Sequence, residues 1–312
     1  MRSIFILTAC LIAQHLGAWG FYGHKKINEI AIYTLPKPLF EFYKLNAKYV
    51  IDHAVDADKR RYIMEGEACR HYLDGDHYEK SAPFDTLPHF YKDAILKYTE
   101  DTIKAHGIVP WYIQTVMYQL TEAFKIKDYV RILKLSADLG HYVGDCHVPL
   151  HATSNYNGQK TNQVGIHGLW ESRLPEMFEN EYDLFTGLAL YNEHPVNAIW
   201  LAYGQSFTLV DSVLDMEKKV SQNFSEAKKY SVEKKGGTTV KVYSKAFSEA
   251  YQHAVGTMVE NRMRASIVML GSLWYTCWLN AGQPDLLDAK DISLPAEEPA
   301  QKGVQPGKGH ED

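Results

Sequence analysis

The sequence predicts a single, mostly α-helical domain. Apolar residues recur at intervals of three and four along most of the chain, which is the spacing of an amphipathic helix. Alternating patterns typical of strands are scarce, and no internal repeat is present. The 312 residues, 46% hydrophobic and 23% charged, have the composition of a globular protein. Length alone allows one large domain or two small ones, and the continuing helical pattern favours one.

Helical spacing begins soon after the N-terminus and continues, with interruptions, through the folded part. The segments with this spacing are 27–33, 40–50, 94–106, 111–124, 129–148 and 244–279. The first ends before Pro36, and the last is closed by Gly282 and Pro284, which are helix stop signals. Residues 238–243 form the one clear β-type stretch, and 184–190 has mixed character.

Composition marks the loops and a terminal tail. Residues 152–166 and the region around Gly236 and Gly237 have loop composition, and we expect the first loop to lead into a functional site. Residues 283–312 contain four prolines and no aromatic residue, which predicts a disordered tail without chemistry of its own. The folded domain is therefore expected to span 19–282.

Residues 1–18 have the pattern of a secretory signal peptide. Arg2 supplies the positive charge, and the apolar run that follows is too short to span a bilayer. Cleavage after Ala18 would make Trp19 the N-terminal residue. The alternatives are a lipobox that ends at Cys10 and a buried N-terminal helix. Since no other apolar run reaches spanning length, we expect an exported protein, periplasmic or secreted, without a transmembrane segment.

The charge balance and the cysteines exclude two kinds of site. The chain has 38 acidic and 33 basic residues, so its formal net charge is −5. A chain with this balance lacks the basic surface needed for stable binding to duplex DNA. Besides Cys10, the chain has Cys69, Cys146 and Cys277, which allow one disulfide of undetermined pairing and one free thiol. None has the CxxC spacing of a thiolate zinc site, so a metal would need histidine and carboxylate ligands.

Histidines and acids recur at helical spacing in the middle of the chain. His141 and Asp145 are four residues apart, which places them on one face of a helix. His151 follows, and His167 and Glu171 repeat the four-residue spacing. Imidazole nitrogen and carboxylate oxygen are the zinc ligands expected where thiolates are absent. The alternative is a set of solvated ion pairs on helix surfaces.

Three further motifs precede this cluster. Residues 71–77 contain a second group of His and Asp, and residues 56–61 combine two acids with three bases. His24 stands just after the expected cleavage site. The amino group and carbonyl oxygen of a new N-terminal residue can chelate a metal, and His24 could join them.

In this order, the motifs resemble those of the superfamily of zinc-dependent phospholipases C and single-strand-specific nucleases of the S1/P1 type. They are Trp-Gly-x-x-Gly-His from Trp19, Asp-x-x-Arg from Asp58, His-aromatic-x-Asp from His71, His-x-x-x-Asp-x-x-x-Pro-Leu-His from His141, and His-x-x-x-acid from His167. The resemblance covers residues 19 to about 175 by motif and extends to 282 by helical character. It implies an all-α fold with a trinuclear zinc cleft.

The resemblance also implies which residues hold the three zinc ions. The first ion would be held by Asp58, His71, His141 and Asp145. The second would be held by His151, His167 and Glu171. The third would take the amino nitrogen and carbonyl oxygen of Trp19, together with His24 and a bridging Asp145. Asp56 is the fallback for Asp58, and Trp19 can serve only after the signal is removed.

The implied activity is hydrolysis of phosphodiester bonds by a zinc-bound hydroxide, in a monomeric enzyme. No side chain is then an obligatory nucleophile; Asp74 would orient water or substrate, and Arg61 would assist the phosphate. The simpler interpretations are a loop cap for Asp74 and a salt bridge to Asp58 for Arg61. A non-catalytic zinc-binding module is the alternative outside the superfamily, and the incomplete coordination by protein ligands argues against it.

The substrate class stays open between single-stranded nucleic acid and phospholipid. Trp170 favours the nuclease branch, whereas Glu171, where the nucleases usually have Asp, favours phospholipase C. Tyr72 and Asp74 could bind a base, as aromatic platforms do for single strands. An apolar rim for acyl chains could instead be formed by Phe84, Leu87, Phe90 and Tyr91.

Overall fold

The computed structural model describes residues 20–235 and 238–286, which form a helical body with one small hairpin. The predicted all-α fold class is confirmed. The predicted signal peptide, Trp19 and all of the predicted tail beyond residue 286 lie outside the described residues. None of the described helices is both long and apolar enough to cross a membrane.

The helices, in chain order, are α1 (Gly20–Ile32), α2 (Lys37–Leu45), α3 (Ala47–Asp52), α4 (Asp56–Arg60), α5 (Gly75–Tyr78), α6 (Tyr91–Tyr98), α7 (Glu100–Ala105), α8 (Val109–Lys125), α9 (Tyr129–Cys146), α10 (Ile166–Gly168), α11 (Leu174–Phe178), α12 (Pro195–Ser221), α13 (Glu226–Lys229), α14 (Lys245–Val255) and α15 (Met258–Asn280). Short 3-10 turns cover His53–Val55, Ala68–Arg70 and Pro149–Ala152, and a π-helical turn covers Leu169–Arg173. Strands β1 (Tyr230–Lys235) and β2 (Thr238–Tyr243) pair antiparallel, with Tyr230 opposite Tyr243.

All predicted helical segments contain helix, but three of them are divided by a local break. Segment 94–106 becomes α6 and α7 because Thr99 has a φ of 69°, and its hydroxyl caps α7 by accepting from the Thr102 N–H. The C-terminal segment becomes α14 and α15, separated at Gly256, whose φ is 58°. The third break, at Asn46, separates α2 from α3.

The longest described helix, α12, has 27 residues and is not predicted from the sequence. Its buried face includes the polar Ser206 and Glu217, which weaken the apolar periodicity that would reveal it. Ser206 donates to the carbonyl of Cys146 at 2.7 Å, so its burial is compensated by another part of the chain. The predicted β-type stretch is confirmed as β2, its partner β1 is missed, and residues 184–190 form no strand.

Helix α9 lies at the centre of the body, where it packs against α8, α1 and α15. It crosses α1 closely because Gly140 has no side chain, and a Cβ there would overlap the Asn28 amide. Asn28 is held in place because it donates to the carbonyls of Val50 at 3.0 Å and Ala137 at 3.3 Å. This crossing sets the spacing between two helices that carry much of the candidate site.

The described cysteines, Cys69, Cys146 and Cys277, are buried and free, so the disulfide that the sequence allowed does not form among them. At the C-terminal end, the packed body continues to Leu286, which is buried. The Trp278 indole donates to the Pro284 carbonyl at 3.0 Å. The described chain therefore stays in contact with the body as far as Leu286.

Gly140→Ala tests the crossing of α1 and α9. The added methyl group would overlap Asn28 and force the helices apart, so we expect the free energy of unfolding to fall by about 1–3 kcal/mol. Chemical denaturation measures this change. Gly187→Ala is the matched control because a Cβ there meets nothing within 4 Å. Equal free energies of unfolding of the two variants would show that a Cβ at residue 140 does not overlap Asn28.

Candidate metal centre

Eight acidic and imidazole side chains converge near the C-terminal end of α9. They are His24 on α1, Asp58 on α4, His71 directly after the Ala68–Arg70 turn, His141 and Asp145 on α9, His151 in the Pro149–Ala152 turn, His167 on α10, and Glu171 in the π-helical turn. None is more than 3% exposed. Ionisable side chains are rarely buried to this extent unless they pair with each other or with an ion.

Asp145 stands where these side chains meet. Its Oδ1 lies 3.4 Å from His24 Nε2 and 4.0 Å from His151 Nε2. Its Oδ2 lies 3.0 Å from His71 Nδ1 and 3.3 Å from His141 Nε2. One carboxylate thus faces four imidazoles, which is the position that a bridging ligand requires.

Asp58 completes a group with His71 and His141. Its Oδ1 lies 3.8 Å from His71 Nδ1 and 3.6 Å from His141 Nε2, and the two imidazole nitrogens are 3.0 Å apart. The fallback residue, Asp56, pairs instead with Lys59 at 2.8 Å and is part-exposed. The structure therefore brings Asp58, and not Asp56, into the group.

His151, His167 and Glu171 form a separate group. His167 Nε2 lies 2.9 Å from Glu171 Oε1, and His151 Nε2 lies 3.3 Å from Glu171 Oε2. Each carboxylate oxygen therefore faces a different imidazole. Glu171 stands in a π-helical turn, a local widening of the helix that is frequent at functional sites.

Backbone carbonyls fix the direction in which three of the imidazoles point. The Nδ1 atoms of His141, His151 and His167 donate to the carbonyls of Ala54 (2.9 Å), His71 (2.7 Å) and Tyr156 (3.1 Å), respectively. In each ring, Nε2 then faces the carboxylates. Protonation at Nδ1 gives the tautomer in which a neutral imidazole binds a metal through Nε2. Burial favours the neutral ring, but Asp145 and Asp58 raise the pKa of His141 to about 9, so a metal would displace a proton from that Nε2.

Sequence reasoning missed Glu67, although it precedes His71 by the same four residues that separate the other pairs. Glu67 is fully buried. Its Oε1 lies 3.9 Å from His71 Nε2, because the His71 ring turns Nδ1 toward Asp145. Glu67 also accepts from the Tyr142 hydroxyl and pairs with Arg60 at 3.6 Å. It therefore stands behind His71, as carboxylates commonly do behind metal-binding histidines.

Two carboxylates of the centre, those of Asp145 and Glu171, are held ionised. Burial raises the pKa of Asp145, but the facing imidazoles, His141 foremost, outweigh burial and hold the pKa well below its usual range. Burial also opposes the ionisation of Glu171, yet His167 and His151 lower its pKa to about 2. Buried ionised carboxylates of this kind need a positive charge beside them.

The imidazoles offer nitrogen lone pairs to that charge. Burial lowers the pKa of His24 and of His71 to about 4, so both are neutral at pH 7. Within the described residues, several buried atoms that face the groups make no hydrogen bond: His24 Nε2, Asp145 Oδ1, His151 Nε2 and both Glu171 oxygens. Neutral imidazole nitrogens and ionised carboxylate oxygens that converge in this way fit a zinc ion.

Both predicted supporting residues are buried. Asp74 Oδ2 lies 3.3 Å from His106 Nδ1, and the Asp74 N–H donates to the His106 carbonyl at 2.7 Å. The Asp74 side chain does not cap α5, and burial raises its pKa. Arg61 follows α4, and its charge acts on His71. Sequence reasoning missed His106 because it stands outside every motif.

The exposure of the side chains corrects both substrate hypotheses. Tyr72 is 2% exposed, so it offers no face on which a base could stack. Phe84 and Leu87 are also buried, which removes half of the predicted rim for acyl chains, whereas Phe90 is 52% exposed. Trp170, which favoured the nuclease branch, is fully buried. Neither substrate class therefore gains support from these side chains.

Comparison with known proteins gives one family match. A family model described as S1/P1 nuclease matches residues 19–276. No curated protein gives a significant sequence match. Among solved structures, the alpha-toxin of Clostridium perfringens isolated from avian strain SWCP is similar at 12% sequence identity with a TM-score of 0.48. That match covers 86% of this chain and 65% of the toxin chain, so this chain spans less than two thirds of the toxin's length.

Asp58→Asn and Asp56→Asn form a matched pair that tests the assignment of the centre. Asp58 lies among the imidazoles, so we expect its variant to bind less zinc than the unaltered protein. Asp56 lies in a part-exposed ion pair, so its variant should keep the zinc content of the unaltered protein. Metal analysis by mass spectrometry after dialysis gives the counts. Full zinc content in Asp58→Asn, or a loss in Asp56→Asn, would reject the assignment.

Proposed function

Since this chain belongs to the S1/P1 nuclease family, we propose that it is an exported, zinc-dependent phosphodiesterase that hydrolyses single-stranded nucleic acid. The observation that carries the proposal is the convergence of three groups of buried His, Asp and Glu around one carboxylate. A non-catalytic zinc-binding module is the alternative outside the family, and it predicts bound zinc without turnover.

We assign the ligands as the family resemblance implies. The first zinc ion is held by Asp58, His71, His141 and Asp145. The second is held by His151, His167 and Glu171. The third is held by His24, Asp145 and the amino nitrogen and carbonyl oxygen of Trp19.

The position of Gly20 supports a role for Trp19, which itself lies outside the described residues. Gly20 begins α1, and a Cβ built there would lie 3.0 Å from Ser172 Oγ. Ser172 directly follows Glu171, so the start of α1 lies against the turn that carries a proposed ligand. Gly20, to which Trp19 is bonded, therefore lies close to the centre.

Bound zinc ions would supply an activated water and stabilise negative charge on the phosphate. The protein's part is to hold the ligands in fixed directions through the carbonyls behind His141, His151 and His167. The carboxylates of Asp58, Asp145 and Glu171 would offset about half of the roughly six positive charges of three zinc ions. The excess positive charge would attract a polyanion although the whole chain is acidic.

Two side chains are proposed to support the reaction. The buried Asp74 carboxylate would orient substrate or water, in a direction fixed by its contact with His106. The Arg61 guanidinium would assist the phosphate. Both roles follow from the resemblance, and each is secondary to that of the ligands.

Phospholipid is the second candidate substrate. Glu171 favours it because the nuclease branch usually has Asp at this position, and the family match favours nucleic acid. An assay of the purified protein on single-stranded DNA, RNA and phosphatidylcholine separates the two. We expect nucleic acid to be cleaved and phosphatidylcholine to be left intact.

His141→Ala is the control for that assay. Its ring contacts two of the three groups, so we expect activity to fall by more than about a hundredfold. Preferential cleavage of phosphatidylcholine would reject the nuclease assignment. Three bound zinc ions without turnover of any substrate, bis(p-nitrophenyl) phosphate included, would favour the binding module.

The N-terminus gives an independent test of the third zinc site. A chain that keeps residues 1–18, or carries one extra residue before Trp19, lacks the amino group at the required place. We expect such chains to bind two zinc ions, and the chain that begins at Trp19 to bind three. One extra residue after Asp312 is the matched control and should leave the count at three. Three zinc ions in the N-terminally extended chain would remove Trp19 from the ligand set.

A further inference from the structure

A groove unrelated to the three ligand groups lies between α12 and the segment 82–89. Its volume is about 760 Å³, and its walls include Phe84, Trp200 and Leu209. Trp200 is held rigidly, because its indole donates to the His89 carbonyl at 3.1 Å and the His89 ring stacks on it at 4.5 Å. A concave, mostly apolar groove of this size with few polar groups is typical of a small-molecule site.

The groove also contains a buried cation, Arg262 of α15, which is 5% exposed. Its guanidinium donates to four neutral acceptors: the carbonyls of His147 (2.9 Å) and Ala202 (2.9 Å), Gln205 Oε1 (3.1 Å) and Ser206 Oγ (2.7 Å). A guanidinium has five N–H bonds. One N–H on Nη1 is therefore left without a partner within the described residues.

The charge of Arg262 is only partly compensated. Burial lowers its pKa to about 10, so it is still charged at pH 7. The His147 carbonyl lies at the C-terminal end of α9, where the helix dipole supplies a partial negative charge. No Asp or Glu is among the described residues that line the groove. An anion that entered the groove would meet a buried cation and no competing carboxylate.

We propose that this groove binds a free fatty acid, with its carboxylate at Arg262 and its alkyl chain along Leu201 and Leu209. The carboxylate would accept a hydrogen bond from the remaining guanidinium N–H. This hydrogen bond would be charge-assisted and largely shielded from water. The alkyl chain would cover Leu201, an apolar wall residue that is 65% exposed. A single cation in an apolar groove matches a ligand with one charged end, and this site is independent of the proposed phosphodiesterase activity.

Isothermal titration calorimetry with decanoate and decanol tests the proposal, because the two ligands share a chain length and differ in charge. We expect the protein to bind decanoate at least about tenfold more tightly, the factor that corresponds to about 1.4 kcal/mol. Arg262→Met should abolish this preference, and Arg262→Lys should retain part of it. Equal affinities of the unaltered protein for the two ligands would overturn the proposal.

Gly204→Leu tests the groove without touching the buried cation. A Cβ at Gly204 would meet only Ala82 Cβ, at 3.5 Å, so a leucine there fits the helix and fills the groove. We expect decanoate binding to be lost while zinc content and phosphodiesterase activity stay unchanged. Lys219→Leu, at an exposed position of the same helix, is the matched control and should bind decanoate normally.

Decanoate binding by Gly204→Leu at the affinity of the unaltered protein would also overturn the proposal. The two proposals fail separately. Absence of phosphodiesterase activity from the unaltered protein would reject the proposed function, whereas the calorimetry alone decides the fatty-acid site.

Discussion

The centre depends on one buried carboxylate, that of Asp145. An ionised carboxylate in a protein interior is costly unless positive charge or hydrogen-bond donors surround it. Four imidazoles face it, from α1, α9 and the chain around residues 71 and 151. Three of these imidazoles, those of His24, His71 and His151, come from other segments, so full compensation of the charge requires those segments to be packed against α9. The contacts that assemble the fold and those that assemble the centre are therefore the same.

A second buried carboxylate anchors the loop that leads into the group of His151, His167 and Glu171. Glu217 of α12 pairs with Lys229 at 2.8 Å and accepts from the Tyr243 hydroxyl at 3.0 Å. It also accepts from the amide of Gln163, which lies in the loop 152–166. Helix α12 and the hairpin thus hold a loop without regular structure against the body. This anchoring explains how such a loop can present ligands at both of its ends at a fixed spacing.

Short-range spacing accounts for what the sequence predicts well. His141 and Asp145 are four residues apart, and helix geometry alone places them on one face. The parts that sequence reasoning missed depend on contacts between distant segments. His106 is brought to the site by its contact with Asp74, and the burial of Tyr72 follows from packing that no local pattern reveals. Helix α12 is missed for the same reason, because its buried polar groups find partners elsewhere in the chain.

The buried thiols decide how the chain responds to redox potential. Burial raises the pKa of Cys146 and of Cys277 to about 12, so neither forms thiolate at neutral pH, even though Cys146 directly follows Asp145. The thiolate is the species that attacks disulfides and binds soft metals. These two side chains therefore neither compete with the imidazoles for metal nor exchange with external disulfides. Both thiols are thus expected to keep the same covalent state in a reducing compartment as in an oxidising one.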